Sequence, residues 1–222
     1  MVDKLPSFQS IDLPPSLKDK AFQAIKEYIL AHKLKPGGIY SEQAVARELH
    51  ISKTPIHQAL AELQSRGFLT ILPRRGFQVN AITSDVVRAL FELRHVLEPA
   101  IIRLVTPKLD EQSIKELETW NRLAANTQDW LQFLKYDRAF HLHLASLTEN
   151  RFMIDALENV KDLSDWVGAE VVSLENRPEE AIREHGAVID RLKTGDAEGA
   201  AEAMAEHLRV TEARFLANVK AQ

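Results

Sequence analysis

Apolar positions at the start of the chain fall at helical spacing. Leu17, Ala21, Ile25 and Ile29 recur every four residues, which predicts a helix over 17–32 with one apolar stripe. Lys35-Pro-Gly-Gly38 ends it. Ser41 is placed to cap a second helix reaching Leu49, and His50-Ile51 makes a tight turn. Ser52 is placed to cap the next helix, with Pro55 in its first turn, where a missing N–H does no harm. Ile56, Leu60 and Leu63 form the inward face of that helix, and Gly67 ends it. Phe68–Leu72 and Phe77–Asn80 read as the strands of a β-hairpin, with Pro73-Arg-Arg-Gly76 at its tip. Two short helices, a tight turn and a hairpin in this order predict a winged helix-turn-helix.

From residue 81 the strand signals stop. Six helical segments are expected, at about 84–105, 110–126, 129–147, 150–173, 178–194 and 196–219. Pro107, Asn126, Thr148-Glu-Asn150, Arg177-Pro178 and Gly195 punctuate them. Short connections favour antiparallel neighbours, hence a bundle. The fold class is therefore mainly α. A mobile segment over 1–15 is followed by a winged helix-turn-helix over 16–80 and a six-helix bundle over 81–222.

Composition narrows the chemistry. With no cysteine among 222 residues, disulfides and thiolate metal sites are excluded. No apolar run has the length of a membrane helix, and the first residues lack the apolar core of a secretory signal, so a cytoplasmic protein without membrane contact is expected. The net charge of −4 is unevenly placed: residues 1–80 carry 11 Lys/Arg against 7 Asp/Glu, and residues 81–222 carry 17 against 25. A basic first third on an acidic remainder fits one domain that meets phosphate and one that does not.

In a helix-turn-helix the second helix enters the major groove, and its N-terminal residues meet base edges. Here that end is Ser52-Lys53-Thr54, with His57 one turn on. These side chains are short, polar or cationic and can donate to phosphates or reach guanine acceptors. Arg74 and Arg75 at the hairpin tip are placed for the minor groove or its phosphates. A surface helix beside a solvated hairpin is the alternative.

The segment resembles the DNA-binding domain of the GntR family of bacterial transcription regulators. The family's Ser-Arg-Thr-Pro-Val-Arg-Glu-Ala-Leu appears as Ser52-Lys-Thr-Pro-Ile-His-Gln-Ala-Leu60, and Leu63, Gly67-Phe68 and Gly76 match the positions that follow. Lys53 and His57 stand where the family has arginines, exchanging a bidentate fork for a point charge and for a titratable ring. The resemblance implies a DNA-contacting set of Gln43, Ser52, Lys53, Thr54, His57, Arg74, Arg75 and Gly76.

The bundle holds five histidines. Asp137 and His141 lie one turn apart and share a helix face. His185 and His207 lie on two later helices, each among apolar residues. A bundle can gather all four, and one carboxylate with three imidazoles suits a divalent ion such as zinc or nickel. Four unrelated polar residues would fit the spacing as well. His143, two residues from His141, should point elsewhere.

Residues 84–219 resemble FCD, the all-helical ligand-binding domain of the FadR branch of the same family. The resemblance rests on Arg94 and Glu98, on Asp137-Arg-Ala-Phe-His141 with Leu144 and Asn150, and on Glu184-His185, Gly195-Asp196 and Met204-Ala-Glu-His207. It implies that Asp137, His141, His185 and His207 are metal ligands. Six helices match its shorter, VanR-like subgroup. Arg94 is the candidate grip on an anionic effector, or else simply the partner of Glu98. Trp130 and Trp166 either line the effector cavity or belong to the plain core.

The expected function is a ligand-controlled regulator, a repressor that binds a palindromic operator as a homodimer and answers a small organic acid held near the metal. A metal-dependent enzyme is the second reading. Against it, no His-Glu-x-x-His is present, and Glu92-x-x-His95 lacks the second copy that a di-iron bundle needs. An architectural DNA binder with a purely structural bundle is the third.

Overall fold

The structure is a computed structural model that describes residues 15–170 and 177–219. The segment expected to be mobile, 1–15, falls outside these residues apart from Pro15, as does the end, 171–173, of the helix expected over 150–173.

The N-terminal domain packs α1 (Leu17–Leu30), α2 (Glu42–Glu48) and α3 (Lys53–Ser65) against a small antiparallel sheet of β1 (Ile39–Tyr40), β2 (Leu69–Leu72) and β3 (Gly76–Val79) in the order β1-β3-β2. Ser16 starts α1 with a capping box completed by Asp19. Ser41 caps α2 through the Ala44 N–H. Ser52 occupies the N-cap position of α3, but its hydroxyl makes no capping bond, so the expectation that it caps α3 is corrected. The backbone enters α3 from the His50 turn, where a φ of 53° reverses the chain, and the Ser52 hydroxyl stays exposed to solvent. Ile25, Ile29, Ile56, Leu60, Leu63, Phe68 and Phe77 fill an all-apolar core.

The strand β1 was not expected. Two residues carry no period of their own, yet Tyr40 pairs with Phe77 and anchors the sheet. Gly76 follows from that pairing: its φ is 103°, and a Cβ there would sit 2.1 Å from the Tyr40 carbonyl oxygen.

The second domain has the six expected helices among the described residues: α4 (Ser84–Val105), α5 (Glu111–Ala125), α6 (Trp130–Ser146), α7 (Arg151–Glu170), α8 (Arg177–Lys193) and α9 (Ala197–Asn218). Thr83, Asp110, Asp129 and Asp196 cap α4, α5, α6 and α9. Asn150 serves the first turn of α7, its side-chain oxygen accepting from the Phe152 N–H. The helix α4 packs along α9 and crosses α7 and α6, while α8 lies between α9 and α5. One apolar core runs through both domains. No helix among the described residues is long and apolar enough to cross a membrane.

Candidate metal centre and DNA-contact surface

Five helices converge on one polar point in the bundle. Asp137 and His141 come from α6, His185 from α8 and His207 from α9, and all are buried. One ligand atom from each lies within 4.8 Å of the other three. Asp137 Oδ1 stands 3.8 Å from His141 Nε2 and 3.7 Å from His185 Nε2. The structure thus brings together the four residues that the pattern singled out.

Those two ring nitrogens have no hydrogen-bond partner among the described residues. A buried polar nitrogen without a partner costs about 1–3 kcal/mol. A cation between the four side chains removes that cost, because each ring presents its lone pair inward. The outer nitrogens of His141 and His207 are already held. His141 Nδ1 donates to Glu98 Oε2 at 2.5 Å, and Glu98 accepts in turn from Arg94 Nε at 2.5 Å. His207 Nδ1 donates to Glu184 Oε2 at 2.7 Å. Carboxylates on the outer nitrogen fix the tautomer and orientation of a metal-binding imidazole. The ring of Phe140 stacks on His185 with centroids 4.1 Å apart and holds its plane.

Protonation favours the same chemistry. Burial, and then the neighbouring His207, push His185 well below the ordinary histidine value. Burial pushes His207 down to about 4, the bond to Glu184 offsetting part of the effect. Neutral imidazoles are the form that binds a metal. Burial by itself would raise Asp137, but Lys161 and the three imidazoles outweigh it and hold the carboxyl well below the usual range. Glu98 is likewise held down by Arg94 and His141 against its burial. Glu184 is lowered to about 2, its bonds to His207 and Arg177 outweighing burial.

The donor set fits a divalent ion. Metal–nitrogen bonds of about 2.0–2.1 Å require the four donors to close in by less than about an ångström. The arrangement can hold a metal ion with one or more coordination positions left over for a small oxygen ligand.

Beside the cluster is a cavity of about 30 Å³ whose lining includes Arg94, Trp130, Lys161, Ser164, Arg177 and Thr211. Asp137 and Asp165 line it as well, so its wall carries three cations and two carboxylates. Arg94 is paired to Glu98, as one expectation had it, yet it also lines the cavity, and its buried Nη2 has no hydrogen bond among the described residues. Trp130 lines the cavity and donates to the Gly168 carbonyl oxygen, whereas Trp166 belongs to the core and packs on Phe68. His143 points away and pairs with Glu116 at 3.4 Å.

Sequence reasoning missed Lys161. Its side chain is buried on α7 and donates to Asp137 Oδ2 at 2.7 Å, leaving Oδ1 for the centre. It also missed Glu184 as the orienting partner of His207.

On the N-terminal domain, Gln43, Ser52, Lys53, Thr54 and His57 are all exposed, and Ile56 and Leu60 face inward beneath them. His57 Nδ1 stands 3.3 Å from Glu42 Oε1 on α2. Arg74 and Arg75 are exposed at the tip between β2 and β3, with Arg74 at a φ of 63°. Gly76 is half-buried against β1, its place fixed by the approach to Tyr40.

Residues 17–79 match the bacterial regulatory proteins of the gntR family, and residues 89–210 match the FCD domain. The chain is similar to the HTH-type transcriptional regulator YdhC of Bacillus subtilis (strain 168), 25% identical over 201 residues that span 89% of this chain and 90% of YdhC. It is similar to the HTH-type transcriptional repressor RspR of Escherichia coli (strain K12), 26% identical over 196 residues, 87% of this chain and 86% of RspR. Among solved structures, E. coli McbR/YncC shares the fold with a TM-score of 0.80 at 22% identity, over 92% of this chain and 99% of that one. The metal-free FCD domain of TM0439 matches with a TM-score of 0.54 at 26% identity, over 63% of this chain and 97% of that one. YdhC and RspR are named as a transcriptional regulator and a transcriptional repressor, which sets the enzyme reading aside.

Proposed function

The chain belongs to the GntR family of bacterial transcription regulators, in the branch whose second domain is FCD, and on that premise we propose that it is a metal-dependent, acid-sensing repressor. Asp137, His141, His185 and His207 hold a divalent ion, zinc or nickel. A small carboxylate takes an open position on that ion and is gripped by Arg94. The observation that carries this reading is the pair of partnerless ring nitrogens, His141 Nε2 and His185 Nε2, facing Asp137 Oδ1 beside a cavity that Arg94 helps to line.

When bound, the ion supplies a Lewis-acid seat for an effector oxygen. The residues of the chain do the rest. Glu98 and Glu184 aim the imidazoles, Lys161 steadies Asp137, and the free Nη2 of Arg94 offers the anion a charged hydrogen bond. The effector acts only as far as it binds one arrangement of the domains better than the other.

Operator reading is assigned to Gln43, Ser52, Lys53, Thr54 and His57 in the major groove and to Arg74, Arg75 and Gly76 at the wing. A homodimer on a palindromic operator in the cytoplasm follows from the two-fold logic of such heads. The exposed apolar residues Leu93, Val96 and Leu104 along one side of α4 offer a surface for the second copy. Repression is the sign favoured by the likeness to RspR, which is named a repressor.

A thermal-shift screen of organic and sugar acids, run with and without a chelator, tests the reading. Stabilisation by one acid class that the chelator abolishes is expected. A purified protein that takes up no zinc or nickel and answers no acid would leave a purely structural bundle.

A further inference from the structure

The helix α7 turns one side to the metal centre and another to the DNA-reading head. Lys161, Ser164 and Asp165 face the centre. Lys161 bonds Asp137, Ser164 Oγ accepts from Arg94 Nη1 at 3.4 Å, and Asp165 lines the same cavity. Asp162, Leu163 and Trp166 face the head. Asp162 Oδ1 lies 2.6 Å from Lys26 Nζ on α1, and Asp162 Oδ2 lies 3.6 Å from Arg66 Nη1 at the C-cap of α3. A Cβ built on Gly67 would stand 3.7 Å from Leu163, and the Trp166 and Phe68 rings are 5.7 Å apart. At about 3.6 residues per turn these two sets occupy separate sides of one helix.

Arg138, the residue after the ligand Asp137, ties the two sides together. Its Nη1 donates to Asp165 Oδ2 at 3.1 Å, and its Nη2 lies 2.9 Å from Asp162 Oδ1. Lys161 Nζ lies 3.4 Å from Asp165 Oδ1. Charges of alternating sign therefore run without a break from Asp137 through Lys161, Asp165, Arg138 and Asp162 to Lys26 and Arg66. Asp162 is 3% exposed and faces cations from three different elements.

We propose that this run of buried and partly buried ion pairs transmits the state of the metal centre to the recognition helix, with Asp162 as the joint between the two domains. The inference rests on the metal-binding reading above and adds how that site speaks to the head. Buried charges are screened weakly, so a change at one end is felt along the line. With the centre loaded, the Lys161 ammonium would turn from Asp137 towards Asp165, where the present 3.4 Å leaves room to close. Asp165 then leans less on Arg138, Arg138 gives more of its charge to Asp162, and Asp162 releases part of its hold on Lys26 and Arg66. The end of α3 and the α1 face against it loosen from the bundle.

Hydrogen–deuterium exchange on the full chain, with zinc as the probe, tests this on the wild type, Asp162→Asn and Lys26→Gln. Lys26 is the milder site, because Asp162 keeps Arg66 and Arg138 when its charge is removed. Zinc binding, measured by calorimetry, is expected to persist in both variants, since neither residue touches the centre. Zinc should speed exchange over residues 21–30 and 60–68 in the wild type; Asp162→Asn should lose both responses, and Lys26→Gln the one over 21–30. A zinc response of the head that persists in both variants overturns the proposal, and so does a wild type that binds zinc with no change in the head. A purely structural Asp162 would lower the melting temperature and leave the response intact. A wild type that gives no heat with zinc overturns the metal reading itself and removes the signal that the run would carry.

Discussion

The two domains bury different things. The head fills its interior with Ile25, Ile56, Leu60, Leu63, Phe68 and Phe77 and keeps its charges outside. The bundle buries Arg94, Glu98, Asp137, His141, Lys161, Asp162, His185 and His207 among its apolar residues. The head needs only a firm platform, because its chemistry happens on exposed side chains that meet DNA. The bundle must keep water from a charged centre, and every such group needs a partner there. Stability in the head comes from packing. In the bundle it depends on completeness, since each polar group is tolerated only while its neighbours stand.

The largest expected effect tests that dependence. Glu98→Ala leaves Arg94 and His141 without their shared carboxylate, and the loss should be about 3–5 kcal/mol in a denaturant titration. Zinc affinity should fall about 10–100-fold in the same variant, because His141 loses its orienting partner. A loss below about 1 kcal/mol would mean that the pair is dispensable and the contrast between the domains overstated.

Leu60→Ala is the counterpart in the head. It should cost about 2–5 kcal/mol by cavity formation and leave zinc affinity unchanged. A drop in zinc binding there would show that the bundle cannot hold its centre without a well-packed head.

Acid should act on the bundle next. His207 is lowered from 6.5 to about 4, and His185 is lowered in the same direction. As pH falls the unfolded chain takes up these protons first, so the metal-free protein keeps this stability above pH 6.5 and loses it on the way down to about 4. Melting temperatures across that window should fall, and should fall less in His207→Gln. Equal slopes for the two proteins would remove the histidine from the account.

The smallest effect on stability belongs to the wing and the recognition helix. Arg74→Ala, Arg75→Ala and the double change Lys53→Ala with His57→Ala should each move stability by less than about 0.5 kcal/mol. Operator retention should nevertheless weaken, with the salt slope reduced by about one for each phosphate-neutralising arginine removed from the wing. Normal retention by all of these variants would move the reading surface elsewhere.

Much of this was legible in the chain. Apolar spacing and caps place the helix ends that fall within the described residues to within about three residues, and Pro73-Arg-Arg-Gly76 marks the wing. The spacing of Asp137, His141, His185 and His207 on apolar stripes allowed their convergence, and it was the resemblance to FCD that implied it. Lys161, Asp162 and Asp165 could not be read in the same way. On a helix covered from one side only, such charges are solvent-facing, and their burial here depends on α7 being enclosed by the bundle and the head together. The apolar residues around them, Val160, Leu163, Trp166 and Val167, leave little room for a solvated side, and that crowding is the available signal. The pairing of Tyr40 with Phe77 was hidden for a different reason, since a two-residue strand is defined by its partner and not by a pattern.

The cavity beside the centre, at about 30 Å³, is the size of one or two waters. On the acid-sensing reading proposed above, a carboxylate larger than that would need the surrounding helices to part. Association is then timed by breathing of the bundle and falls below the rate of diffusional encounter. The same closure slows escape, so a signal once admitted should outlast brief dips in the supply of the acid.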